Sequence, residues 1–234
     1  MGNNAVEPLS AQTLETLRAI STPSICNAVE KFNLRRRTEG FVQNEVEQIF
    51  PRMGVMVGYA LTATASAVEA PTPEQHELRY ELLRRLEAMT GPTVIVIQDI
   101  DNPPCIGAFW GEVQSNIHKK LGCIGSVTDG GVRDLEEVEA LGFQLFARRA
   151  IPSHAYVHLV DVGNPVSIGG LVVHTGDLLH ADKHGVTTIP IEIAPEVPEK
   201  VRDIEANERK IISYCSSSNF SIDGLHDLRE GKKN

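Results

Sequence analysis

Cysteine is scarce: Cys26, Cys105, Cys123 and Cys215 are the 4 in 234 residues, and no two form a Cys-x-x-Cys pair. That spacing argues against a zinc knuckle or a dithiol redox motif and predicts buried thiols in a reducing compartment. Basic residues are outnumbered, 22 Lys and Arg against 31 Asp and Glu, for a net charge of −9. A nucleic-acid or anionic-membrane surface requires the opposite balance, and the short Arg35–Arg37 cluster reads as a solvated loop. No apolar run approaches the length of a membrane span. The opening Met-Gly-Asn-Asn-Ala-Val-Glu-Pro has no basic stretch leading into an apolar one, as a secretory signal would. These absences predict a cytoplasmic protein with neither a nucleic acid nor a membrane as partner. Glycine-rich phosphate loops of the Walker or dinucleotide type are missing, and so is a Gly-x-Ser-x-Gly elbow. Nucleotide dependence, methyl transfer and serine-hydrolase chemistry are therefore unsupported.

What the chain does have is apolar content, 41% of its residues, enough for a substantial core. No linker or repeat divides it, so residues 1–234 read as one domain with a core over about 10–200. Two short helices are expected at 10–18 and 23–32, the second capped by Thr22 with Pro23 in its first turn. A long strand over 55–68 precedes an amphipathic helix over 74–89, where Leu78, Leu82, Leu83 and Leu86 share a side. Strand 93–97, helix 111–120, strand 123–128, helix 134–141 and strand 143–148 then alternate, which implies a parallel β/α layer. After Pro152 the pattern becomes short strands at 156–162, 166–173, 178–181 and 186–189, parted by glycine, proline and aspartate, the signature of an antiparallel β layer. A C-terminal helix over about 195–212 and a tail reaching Lys232-Lys233 complete the α/β chain.

Chemistry concentrates at two helix starts. Gly122–Glu136 carries an apolar strand that breaks at Gly130-Gly131 and delivers Arg133 and Asp134 together on a strand-to-helix turn. Open α/β sheets place ligands at such turns. A carboxylate there can hold Mg²⁺ or Mn²⁺, and the neighbouring guanidinium can grip an anionic substrate. The plainer reading is a surface turn in which the aspartate caps its own helix. Phe109-Trp110-Gly111-Glu112 opens the preceding helix, where Gly111, Val113 and Gln114 offer unpaired backbone N–H groups to a carboxylate or phosphate. Its plainer reading is ordinary capping around a core tryptophan. Consecutive β/α units set such helix starts side by side, and one base between two acids beside free amides suits an enolate. Asp177 and Asp182 read as turn residues, and His180, His184, His154, His158 and His174 show no ligand or nucleophile spacing.

The blocks Ser21–Ala28, Trp110-Gly111-Glu112, Asp129–Asp134, Gly176-Asp177, Ala181-Asp182, Gly185-Val186 and Ile189-Pro190 resemble the family of 4-hydroxy-4-methyl-2-oxoglutarate aldolase and the regulator of ribonuclease activity A. The resemblance implies an RraA-like swivelling β/β/α sandwich, assembled as a homotrimer or hexamer with sites between subunits. It implies a class II pyruvate aldolase that cleaves 4-hydroxy-2-oxo acids and decarboxylates oxaloacetate. Asp134 would ligate Mg²⁺ or Mn²⁺ and Arg133 would bind the 2-oxo acid and stabilise its enolate. Gly111, Val113 and Gln114 would hold the carboxylate, with Glu112 orienting the water that moves the proton. Glu112 stands where the aldolases usually carry aspartate. The same family also contains non-catalytic regulators that bind a ribonuclease or another protein, and that alternative stays open from the sequence.

Overall fold

The computed structural model describes residues 8–43 and 46–231. The N-terminal residues read above for a missing signal, and Lys232-Lys233, lie outside that range. In chain order the elements are Ala11–Arg18 (α1), Thr22–Glu30 (α2), Glu47–Gln48 (β1), Met56–Ser66 (β2), Pro73–Glu87 (α3), Thr93–Asp99 (β3) and Ala108–Trp110 (β4). They continue as Glu112–Lys120 (α4), Cys123–Thr128 (β5), Gly131–Val132 (β6), Leu135–Leu141 (α5), Gln144–Ala147 (β7), Arg149–Ala150 (β8) and His158–Val162 (β9). The chain ends in Val166–Ile168 (β10), Leu171–Val173 (β11), Leu178–Asp182 (β12), Gly185–Ile189 (β13), Val197–Cys215 (α6) and Ile222–Arg229 (α7).

Local signals explain most of these boundaries. Thr72 accepts the Gln75 N–H while the Gln75 side chain accepts the Thr72 N–H, a reciprocal cap that starts α3 with Pro73 in its first turn. The run Thr93-Val-Ile-Val-Ile97 is buried throughout, as a strand covered on both faces must be. Ser21, rather than Thr22, caps α2 by accepting the Ser24 N–H. Thr22 is drawn inward instead: its N–H donates to Asp182 Oδ2 at 2.8 Å and its hydroxyl meets His180 Nδ1 at 3.0 Å.

Among the described residues the main sheet has eight strands, ordered β1-β7-β5-β3-β2-β12-β13 with β9 also on β2. Strands β2, β3, β5 and β7 run parallel, whereas β1, β9, β12 and β13 pair antiparallel. The period-2 alternation of β3 divides the core. Ile95 and Ile97 face Leu82 and Leu86 of α3, Val138 of α5, Trp110 and Phe143. Val94 and Val96 face Val166, Ile168, Leu171 and Val173 of the β10–β11 hairpin. Helices, sheet and hairpin thus form three layers, while α1, α2 and α6 cover the β12–β13 end.

Several expectations change. The expected strand over 166–173 breaks at Gly169-Gly170, both at positive φ, into the hairpin β10–β11. Helix α6 runs on to Cys215 and a further helix, α7, packs against it. Cys215 is therefore exposed and Cys26 half-buried, so burial holds for Cys105 and Cys123 alone. Arg36 and Arg37 are exposed as expected, but Arg35 is half-buried: its guanidinium donates to the Thr187 and Thr188 hydroxyls and to the Thr188 carbonyl. No helix among the described residues is long and apolar enough to cross a membrane.

Close sheet packing yields a stability test. A Cβ on Gly125 of β5 would stand 2.5 Å from the Gln144 carbonyl oxygen and 2.7 Å from Met56 Sδ, with no flexible side-chain end to absorb the first clash. Gly125→Ala is expected to cost about 1–3 kcal/mol in urea unfolding, and an unchanged midpoint would show that the strands separate without penalty.

Candidate functional site

A second, smaller sheet builds the site. Strands β4, β6 and β8 pair in parallel, with Ala108 opposite Gly131 and Trp110 opposite Val132. The pairing continues one residue further, where the Arg133 N–H donates to the Trp110 carbonyl at 3.0 Å. Because β4 leads straight into α4 and β6 into α5, this ladder sets the first turns of both helices against each other.

Asp134 is where they meet. Its backbone is left-handed, at φ 55° and ψ 49°, and its side chain leaves its own helix uncapped. Aspartate tolerates that conformation better than most residues. The carboxylate crosses to the neighbouring helix instead, with Oδ2 accepting the Glu112 N–H at 3.0 Å and lying 3.6 Å from Arg133 Nε. Gly111 permits the approach, since a Cβ there would stand 2.5 Å from Asp134 Oδ2 and 3.1 Å from Arg133 Cγ. So the aspartate is a cap, but for α4 rather than for the helix it begins. Its other oxygen, Oδ1, has no partner among the described residues.

The first α4-type bond runs from the Ser115 N–H to the Gly111 carbonyl. With the Glu112 N–H taken by Asp134, the amides of Val113 and Gln114 are left without protein acceptors, as expected for a helix start. Behind them, Trp110 and His118 are fully buried with ring centroids 4.8 Å apart. His118 Nδ1 sits 2.8 Å from the Gln114 carbonyl. Burial holds the His118 imidazole neutral, its pKa lowered to about 4, with nearby Arg79 adding to the effect.

These groups open on a cavity of about 380 Å³ whose wall includes Gly111, Val113, Gln114, Arg133 and Asp134. The same lining includes Arg79 of α3 and His154 and Tyr156 from the loop before β9. Five of the six residues singled out from the sequence are therefore brought together. The sixth, Glu112, contributes its backbone N–H, and its exposed side chain does not line the cavity. Arg79 and His154 were not foreseen: Arg79 lies three, four and seven residues before Leu82, Leu83 and Leu86, a half-buried charge on the leucine side of α3 that could have marked it, whereas His154 sits in a loop with no local pattern.

The donor set bears on which ion could fit. Among the described residues no three His, Cys, Asp or Glu side chains gather as a ready-made cage. One carboxylate with a free oxygen at a cavity wall suits Mg²⁺ or Mn²⁺, hard ions that take few protein ligands and fill the rest of their shell with water and substrate oxygens.

Five residues before Asp134, Asp129 accepts the Asp99 N–H at 2.7 Å, and burial lifts its carboxyl to about 6. A raised acid contributes stability at low pH that is lost as pH climbs through the folded value. Asp129→Asn, which keeps the acceptor oxygen, is thus expected to gain stability relative to the parent at pH 8 and not at pH 4. Thermal melts at the two pH values check this, and an equal difference at both would refute it.

With this geometry in view, comparison with known proteins is informative. A family model described as RraA-like, Aldolase/RraA, matches residues 22–188. An uncharacterised protein of Methanocaldococcus jannaschii is 27% identical over 201 residues, covering 86% of this chain and 87% of its own. A candidate 4-hydroxy-4-methyl-2-oxoglutarate aldolase of Halalkalibacterium halodurans is 32% identical over 130 residues, 53% of this chain and 60% of that protein. Among solved structures, Streptomyces coelicolor RraAS2, described as an unusual member of the RNase ES inhibitor RraA protein family, aligns with a TM-score of 0.69 at 23% identity. That alignment covers 87% of this chain and 96% of the other. At that identity the likeness concerns the fold.

Proposed function

The chain belongs to the RraA-like family, and from that premise we propose that it is a divalent-metal-dependent lyase that releases pyruvate from 4-hydroxy-2-oxo acids and decarboxylates oxaloacetate. One observation carries the reading. Arg133, a free oxygen of Asp134 and the open amides of Val113 and Gln114 converge on a single cavity.

Each group has a task in such a reaction. The Val113 and Gln114 amides, at the positive end of α4, receive the carboxylate next to the ketone. Arg133 donates to the ketone oxygen, where negative charge gathers as the bond to the leaving carbon breaks. Asp134 Oδ1 would hold Mg²⁺ or Mn²⁺, which supplies electrophilic stabilisation of the same oxygen when bound. Gly111 lets the carboxylate and guanidinium sit this close to the helix start.

Arg79 adds a second cation to the cavity lining, and no carboxylate pairs with it among the described residues. It supports substrates with a second carboxylate remote from the ketone, as 4-hydroxy-4-methyl-2-oxoglutarate and oxaloacetate have. A protein that only docks on a ribonuclease or another partner has no need of two guanidiniums facing one cavity, which is why the enzyme reading is preferred.

A coupled pyruvate assay on oxaloacetate tests this. Arg133→Ala and Asp134→Ala should each lower turnover by at least about 100-fold, and EDTA should abolish it until Mg²⁺ or Mn²⁺ is returned. Near-parental turnover in either variant, or indifference to EDTA, would reject the mechanism. Arg79→Leu should raise KM for oxaloacetate roughly tenfold or more, the loss of one charge-assisted hydrogen bond. It should leave a 4-hydroxy-2-oxo acid without a distal carboxylate little affected, and equal effects on both would remove Arg79 from substrate selection.

A further inference from the structure

Aldol cleavage needs a group that takes a proton from the C4 hydroxyl, and the cavity wall narrows the choice. Of its polar side chains, the guanidiniums of Arg79 and Arg133 are donors with no acceptor atom, and Asp134 has one oxygen engaged by the Glu112 N–H. Tyr156 offers a phenol, an ordinary hydroxyl. The Glu112 carboxylate does not line the wall. Among the described residues that leaves His154, the residue type suited to proton exchange.

The loop that carries His154 is firmly set. The Ser153 carbonyl accepts the Ala108 N–H at 3.0 Å, and the His154 carbonyl accepts the Val157 N–H at 3.0 Å. The Ser153 hydroxyl accepts the Ala155 N–H at 3.0 Å. Gly107 packs so closely that a Cβ would stand 2.4 Å from the His154 oxygen, and Ala155 is held at φ 43°. Two of these contacts tie the loop to β4 and the residue before it, so the imidazole is referenced to the same small sheet as Arg133 and Asp134. His154 Nδ1 lies 2.6 Å from the Ala155 carbonyl oxygen. A carbonyl only accepts, so Nδ1 carries the hydrogen, and Nε2 keeps a lone pair with no partner among the described residues.

We propose that His154 Nε2 is the proton-transfer group of the reaction, an inference that rests on the aldolase reading. Nε2 takes the C4 hydroxyl proton, and the O–H electron pair becomes the new C4 carbonyl bond. The C3–C4 bond breaks and its pair forms the pyruvate enolate, whose oxygen faces Arg133. The imidazolium then returns the proton to C3, forming the methyl group of pyruvate and restoring neutral His154. Substrate, product and protein balance with no further reactant. Oxaloacetate carries a carboxylate at C4 and no hydroxyl to deprotonate: its C3–C4 bond breaks with release of carbon dioxide, and the enolate then takes a proton from water at C3, so the bond-breaking step makes no such demand on His154.

His154→Gln separates the possibilities, with both reactions measured on the same metal-loaded preparation. The ratio of aldol cleavage to oxaloacetate decarboxylation is expected to fall about 100-fold. Exchange of the pyruvate methyl protons in D2O, followed by NMR, reverses the last step and should be lost. The parental turnover of the hydroxy acid should decline toward acid pH as the base is protonated, and the variant should lack that limb. Arg79, Arg133, Asp134 and Tyr156 share the cavity with His154 and remain in the variant, so their contribution to the pH profile is common to both. An unchanged ratio or persistent methyl exchange would overturn the proposal for His154 alone. A parent protein that releases pyruvate from neither acid would overturn the aldolase reading and this inference with it.

Discussion

The carboxylate of Asp134, seated against Gly111 and bonded to the Glu112 N–H, is the contact on which the candidate site depends. It joins two helix starts that would otherwise present four unsatisfied amides each. In doing so it fixes one carboxylate oxygen and releases the other, turns Arg133 toward the same space, and leaves the Val113 and Gln114 amides open. Capping and ligand binding therefore draw on one side chain. The left-handed backbone at Asp134 departs from the extended conformation in which Ser10, Ser21 and Thr72 cap their own helices, and its carboxylate bonds across to α4 instead.

Much of the large-scale architecture was legible because it rests on local signals. The Thr72–Gln75 cap, the unbroken apolar run Thr93–Ile97 and the alternation of strands with amphipathic helices are all readable within a window of a dozen residues. Gly111, Arg133 and Asp134 stood out for the same reason, each lying at a junction of two periodicities. The misses have a common physical origin. Strands β4, β6 and β8 are two or three residues long and gain their order from one another, so nothing in any one of them announces a sheet. Thr22 and Arg35 gave up the roles their neighbourhoods suggested because partners some 150 residues away, Asp182 and Thr187–Thr188, outweighed local preference.

The cavity repeats that lesson. Its near wall comes from two consecutive β/α units and could be anticipated from spacing, while Arg79 and His154 arrive from α3 and from the loop before β9. Arg79 is a cation on the leucine side of α3, a departure from the pattern that becomes meaningful only once the cavity shows where that side opens. His154 looks like any loop histidine until the closeness of Gly107 and the Ala155 conformation show how tightly its backbone is held. Glu112 is conspicuous in the motif, and here its amide bonds Asp134 while its exposed carboxylate stays off the cavity lining.

The division of labour between the two sheets has a wider consequence. The eight-stranded sheet organises the three-layer body, whereas the three-stranded ribbon of β4, β6 and β8 aligns the two helix starts. The two sheets are independent on one side only: Val94 and Val96 meet the β10–β11 hairpin away from the ribbon, whereas Ile95 and Ile97 share their core with Trp110 and Val132. Repacking the hairpin side can therefore alter thermal endurance without disturbing the two helix starts, and repacking the other side cannot.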